Sequence, residues 1–184
     1  MKKTLGQYDE ISSHCRALFL KKHEDYGTSW RILRPSSLTD QMYIKAQRIR
    51  SIEEKSTQLV EDSIEGEYWA LVNYGIIALV QLSLPPEAPL EMETEEIIPL
   101  YDHFAHETRE LMIRKNHDYG EAWREMRISS ITDLILAKIL RIKQIEDNKG
   151  KTIASEGLDA NYMDIIIYAI FALIKLAETK NKGI

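Results

Sequence analysis

The stretch LFLKKHEDYGTSWRILRPSSLTD, residues 18–40, returns as LMIRKNHDYGEAWREMRISSITD, residues 111–133. With an offset of 93, 20 of the 46 positions from Tyr8 to Glu53 are identical to those from Tyr101 to Glu146. After one inserted residue the likeness resumes, with NYGIIALVQL over IYAIFALIKL. A chain written twice folds most simply as two copies of one unit. Copies this short bury little core alone, so they are expected to pack against each other about a pseudo-two-fold axis. The expected organisation is a first repeat over residues 1–83, a linker over 84–96 and a second repeat over 97–184. The stretch LPPEAPLEMETEE supplies the linker, because its prolines and acids interrupt the apolar periodicity.

Each copy reads as three helices, and no alternating strand pattern of useful length is present. The fold class is therefore all-α: a tandem duplication of a three-helix unit in one helical bundle. The first helix is expected over about residues 7–23 and 98–116, with Pro99 suited to a first helical position. It ends at the shared DYG, where glycine permits a left-handed residue. The second opens at SSLTD or SSITD, a capping-box-like start. The third begins near Glu65 and Asp159, with Asp159 as its cap. Trp30 and Trp123, just after the turn, are read as packing the helix entry in preference to stacking a base.

With a formal net charge of −5 and no dominant basic run, the chain is not expected to coat nucleic acid. A lone cysteine, Cys15, forms no internal disulfide and fits a reducing compartment. No apolar run follows the basic start, and the apolar stretch YMDIIIYAIFALIKLA carries Asp164 and Lys175. It reads as a buried helix, not a membrane span. A cytoplasmic protein without membrane contact is the expectation.

Polar groups on apolar faces carry the chemistry. Lys138 falls within the stripe of Ile131, Leu134, Ile135, Ile142 and Ile145, with Arg141 at its edge. Lys45 and Arg48 are their equivalents. Each cation either belongs to a core ion pair or contacts a ligand's phosphate. Asp164 sits on a helix apolar nearly all round, so it needs a cation, a metal or a proton. Pairing with Lys138 or Arg141 and metal binding both satisfy it. In the first copy Ala70 takes its place. His103, His106, Glu107 and Glu110 share one helix face, opposite the apolar one, which suits a solvated face unless the bundle turns it inward. The sequence holds no Ser-His-Asp pattern, glycine-rich phosphate loop or zinc-type cysteine spacing.

The combination of KNxDYGxxW, K..RI..IE and D...YA on three helices resembles the first of the nucleotide-modification-associated domain families, over nearly the whole chain and twice. More distantly the chain is similar to the all-α nucleoside triphosphate pyrophosphohydrolases, the MazG-like and dimeric dUTPase-like group. That second resemblance implies Mg²⁺ held by a Glu-x-x-Glu and a Glu-x-x-Asp pair, bridging a triphosphate that water attacks. Glu107 and Glu110 match the first pair. The second pair is broken: Asn161 and Asp164 in one copy, Glu67 and Ala70 in the other. The resemblance thus implies Glu107, Glu110 and Asp164 as metal ligands, with Glu107 and Asp118 catalytic. Lys138, Arg141, Lys45 and Arg48 would meet phosphate, in one site built mainly from the second copy. A nucleotide is the expected partner, and a homodimer of the duplicated chain is left open. The other reading is a non-catalytic nucleotide-binding or accessory protein, or a helical scaffold whose buried charges are only ion pairs.

Overall fold

A computed structural model describes residues 1–55, 57–153 and 156–181. Its six helices are α1 (Lys2–Tyr26), α2 (Pro35–Lys55), α3 (Ile64–Ser83), α4 (Thr94–Tyr119), α5 (Ile128–Asp147) and α6 (Leu158–Asn181). The fold is all-helical, as expected, and no strand occurs among the described residues. Short 3₁₀ turns over Ser29–Ile32 and Ala122–Glu125 follow α1 and α4. The shared DYG makes the expected break, with Gly27 at φ 56° and Gly120 at φ 59°.

Three expectations about helix starts are corrected. Pro99 is not at a first helical position, because α4 begins five residues earlier. There Glu96 accepts a hydrogen bond from the Glu93 amide at 3.0 Å. The last residues of the expected linker, Thr94, Glu95 and Glu96, therefore start a helix. Nor does SSITD cap α5, whose N-cap, Arg127, makes no side-chain bond. Asp133 instead reaches Arg50 at 3.5 Å. Asp159 lies inside the first turn of α6, where its charge favours the helix dipole.

α2, α3, α5 and α6 form the centre, with α3 against α6 and α2 against α5 across the repeat boundary. α1 packs on α6 and α3, and α4 on α3 and α6. The junction is reciprocal, as a two-fold relation requires. Arg16 makes a two-pronged bond to Asp102, at 2.6 and 2.9 Å, and Arg109 makes the same bond to Asp9. Lys143 reaches Asp40 at 2.7 Å, as Arg50 reaches Asp133. Deeper, the Thr39 hydroxyl bonds Glu146 and the Tyr162 hydroxyl, both at 2.8 Å. Thr132 bonds Glu53 at 2.9 Å and Tyr68 at 2.8 Å. Burial raises the carboxyls of Glu53 and Glu146 above their ordinary range, and the threonine bonds oppose that.

α6 is long and apolar enough to cross a bilayer, but its apolar side chains face the bundle: Ile165, Ala169 and Ala172 are fully buried. It packs tightly on α3 at Gly75, where an added Cβ would lie 2.6 Å from Ile166 Cγ1. Burial of Cys15 in the same core pushes its thiol up to about 12, so it stays protonated at neutral pH.

The start of α1 is tied to the second repeat through two carboxylates. Glu121 accepts from the Thr4 hydroxyl and from Asn116 Nδ2 at 3.2 Å. Glu178 accepts from Lys3 at 2.8 Å and Gln7 at 2.9 Å, and meets Arg124 at 3.2 Å. The bond from Thr4 holds Glu121 at about 2, and that from Lys3 holds Glu178 at about 2. A depressed folded-state pKa contributes stability above the unfolded value and loses it as pH falls through the folded one. The melting temperature should therefore fall between about pH 4.5 and about pH 2. Glu121→Gln/Glu178→Gln should melt lower at neutral pH and show a flatter acid limb. An acid limb as steep as the wild type's would mean that other groups govern it.

Candidate functional site

The repeated stretch builds the same recess twice. In the first repeat, α1 ends at Tyr26, the chain turns at Gly27, and the 3₁₀ turn swings Trp30 back toward α3. A cavity of about 260 Å³ lies between them, walled by Phe19, Tyr26, Trp30 and Tyr74, with Lys22 and Ala70. In the second repeat, a cavity of about 410 Å³ is walled by Tyr119, Trp123, Tyr168 and Phe171, with Lys115 and Asp164. Lys22, Tyr26, Trp30 and Tyr74 are the equivalents of Lys115, Tyr119, Trp123 and Tyr168. The DYG motif is thus more than a turn. It sets a lysine, a tyrosine and a tryptophan around one hollow.

The second recess satisfies its own polar groups. Asp164, 3 % exposed, pairs through one oxygen with Lys115 and through the other with Lys138 at 2.6 Å. The Trp123 indole N–H donates to Asn116 Oδ1 at 3.0 Å, and its ring stacks on Phe171 at 4.0 Å. The two ammonium groups neutralise a carboxylate that burial would otherwise penalise.

The first recess is built differently. Its buried carboxylate is Glu67, one turn before Ala70, and it draws the cations of α2 toward itself. Arg48 bonds Glu67 Oε1 at 2.5 Å and also holds the Asp62 carbonyl at 2.9 Å. Lys45 lies 3.2 Å from Oε2, close enough for an ion pair but without hydrogen-bond alignment. The equivalent of Glu67 is Asn161, which donates to the Gly157 carbonyl at 2.7 Å. Each repeat thus keeps one buried carboxylate, at positions a turn apart, and each pairs it with lysine of its own copy.

The residues singled out in the sequence do not fall in one place. Lys45 and Arg48 gather at Glu67, while Lys138 meets Asp164, the ion-pair alternative for all three. Arg141 is exposed and borders an open groove with Asn148 and Asn161 instead of joining Asp164. Glu107 is exposed, and Glu110 sits 3.5 Å from Arg109. Asp118 is exposed, 3.1 Å from His117 Nδ1. Glu107, Glu110 and Asp164 are not assembled: among the described residues no group of three or more His, Cys, Asp or Glu side chains could hold a metal ion. Both Asp164 oxygens face ammonium groups, and the helix face carrying Glu107 points to solvent. This donor set does not fit Mg²⁺, which needs several hard oxygens converging at about 2.0–2.1 Å.

Sequence reasoning passed over Lys22, His23 and Tyr74. The signal for Lys22 was available in the repeated K…DYG..W spacing, which was read as a turn and a packing tryptophan, and that for Tyr74 in NYG over IYA; His23 does not recur and gave none. The nucleotide modification associated domain 1 family model matches residues 22–82 and again 115–176. Each match begins at the recess lysine and runs into its third helix. No curated protein and no solved structure matches the chain.

Proposed function

The chain belongs to the nucleotide modification associated domain 1 family, and from that premise we propose that it is a nucleotide-binding protein of nucleotide modification, using the aromatic recess of its repeated stretch. The observation behind this reading is the recess: tyrosine and tryptophan rings around a hollow with lysine beside it. Aromatic walls suit the faces of a base, and an ammonium suits a phosphate. The hydrolase reading needs Glu107, Glu110 and Asp164 to converge on one Mg²⁺. Their separation favours binding without a metal centre of this kind.

Purified protein would be offered canonical and modified (deoxy)nucleoside mono- and triphosphates, with and without Mg²⁺ or Mn²⁺. The expected result is nucleotide-dependent thermal stabilisation without release of pyrophosphate or monophosphate. Metal-dependent release that vanishes in Glu107→Gln would restore the pyrophosphohydrolase. Neither stabilisation nor release would leave a helical scaffold.

A further inference from the structure

The two recesses share a lysine, two tyrosines and a tryptophan, but not the groups that meet them. In the second, Asp164 occupies the lysine and Asn116 occupies the tryptophan N–H. In the first, Ala70 stands for Asp164 and His23 for Asn116. Three consequences follow from those two replacements. Lys22 has no acidic partner among the described residues, and no Asp or Glu lines the hollow, whereas Glu156 and Asp164 line the other. The Trp30 indole N–H and His23 Nδ1 are both buried and both lack a hydrogen-bond partner. Buried polar atoms are very largely paired, so two orphans within residues that line one small cavity call for an explanation.

We propose that the first-repeat recess is the nucleotide site and that the second carries its ligand's polar groups in its own side chains, Asp164 for the phosphate and Asn116 for a base-edge acceptor. This rests on the nucleotide-binding reading above.

The ligand's chemistry follows from the vacant partners. Trp30 Nε1 can only donate, so it takes a carbonyl oxygen or a ring nitrogen. His23 Nδ1 donates or accepts according to tautomer, so a neighbouring base atom of either kind can meet it. Both nitrogens are sealed from solvent, so a base reaches them by a small rotation of these rings. Phe19, Tyr26 and Tyr74 offer the base its apolar walls. Lys22 and the first turn of α3, where Gly66 borders the hollow, place positive potential where the phosphate would lie. The acids of that turn are already engaged, Glu65 by Lys180 and Glu67 by Arg48 and Lys45. A volume of about 260 Å³ lies just below the roughly 300–1,000 Å³ of sites for drug-sized ligands. That suits one base with its sugar. Asn73 takes no part: it donates to the Cys15 carbonyl and accepts from Tyr101.

The test installs the second repeat's groups in the first. Deoxyribonucleoside 5′-monophosphates would be titrated by calorimetry into the wild type, Ala70→Asp, Lys22→Met and His23→Asn. Indole N–H signals would be followed by NMR, with Trp30→Phe and Trp123→Phe assigning them. Expected are one ligand per chain, movement of the Trp30 signal, and affinity lowered about tenfold or more by Ala70→Asp, whose carboxylate would neutralise Lys22 and repel the phosphate. Ala70→Asp should melt no lower than the wild type. If it fails to fold, Lys22→Met carries the test, since that side chain is exposed and unpaired. Binding that survives both charge changes while the Trp123 signal moves would put the ligand in the second repeat. That would overturn the inference and leave nucleotide binding intact. Absence of binding by every nucleotide offered would overturn both.

Discussion

Asp164→Ala should destabilise the protein by about 3 kcal/mol, the largest loss expected from one side chain here. Asp164 is buried and neutralises two lysines, Lys115 and Lys138. Its removal leaves two ammonium groups with no counter-charge. Lys138 suffers more, because its side chain is only 14 % exposed, against 36 % for Lys115. Removing one member of a buried pair costs about 3–5 kcal/mol, and the low end applies because Lys115 can reach water along its stem. Removing all three charges together, as Asp164→Leu with Lys115→Met and Lys138→Met, should cost little, since buried ion pairs rarely outdo well-packed apolar groups. Urea unfolding followed by circular dichroism measures both. A loss below about 1 kcal/mol for Asp164→Ala would show that the carboxylate is not committed to these lysines. It would then be free for a metal or a ligand, and the picture of a self-satisfied second recess would fall.

The duplication, the helix count and the DYG break could be read directly, because each is a local pattern: a repeat, a 3.6-residue period, a glycine. Where the identities went could not. Asp9, Arg16, Thr39, Asp40 and Glu53 recur with their partners, and in the sequence they look like shared chemistry. In the structure they join one copy to the other, through pairs such as Arg16 with Asp102 and Thr39 with Glu146. Recurrence marks interface and site residues equally, and only the fold separates them. The lysines illustrate the same limit. A helical wheel puts Lys45 and Lys138 on an apolar face and correctly demands a counter-charge. The alignment places Glu67 and Asp164 a turn apart on equivalent helices, but it cannot show that Asp164 also reaches Lys115 while its equivalent Lys22 is left without an acidic partner. Pro99 and the acids before it misled for another reason. A tertiary context that holds α4 against α3 extends the helix backwards through residues that composition assigns to a linker.

Cutting the chain should cost the whole fold. Residues 1–90 and 91–184, produced separately at low concentration, should each show no cooperative thermal transition, and mixing them should restore one. The reason is where the apolar surface goes. Leu71, Ile76 and Leu79 of α3 and Ile165, Ile170 and Ile174 of α6 are buried, and the α3–α6 contact crosses the cut. Exposing such side chains loses about 1.5–3 kcal/mol each, against a typical total stability of about 5–15 kcal/mol. At higher concentration the halves should differ. In a pair of first halves, Gly75 would face Val72, the equivalent of Ile166, and the close approach survives. In a pair of second halves, Ala169 takes the place of Gly75 and its methyl meets Ile166, where a Cβ has 2.6 Å. Overpacking of this kind costs about 1–3 kcal/mol at each of two symmetric contacts. Sedimentation should therefore show dimers of residues 1–90 at concentrations where 91–184 does not associate, and Ala169→Gly, which removes the clashing methyl, should narrow the gap. A monomeric, cooperatively melting half would show that a single copy holds its own core, and the duplication would then need a reason other than burial.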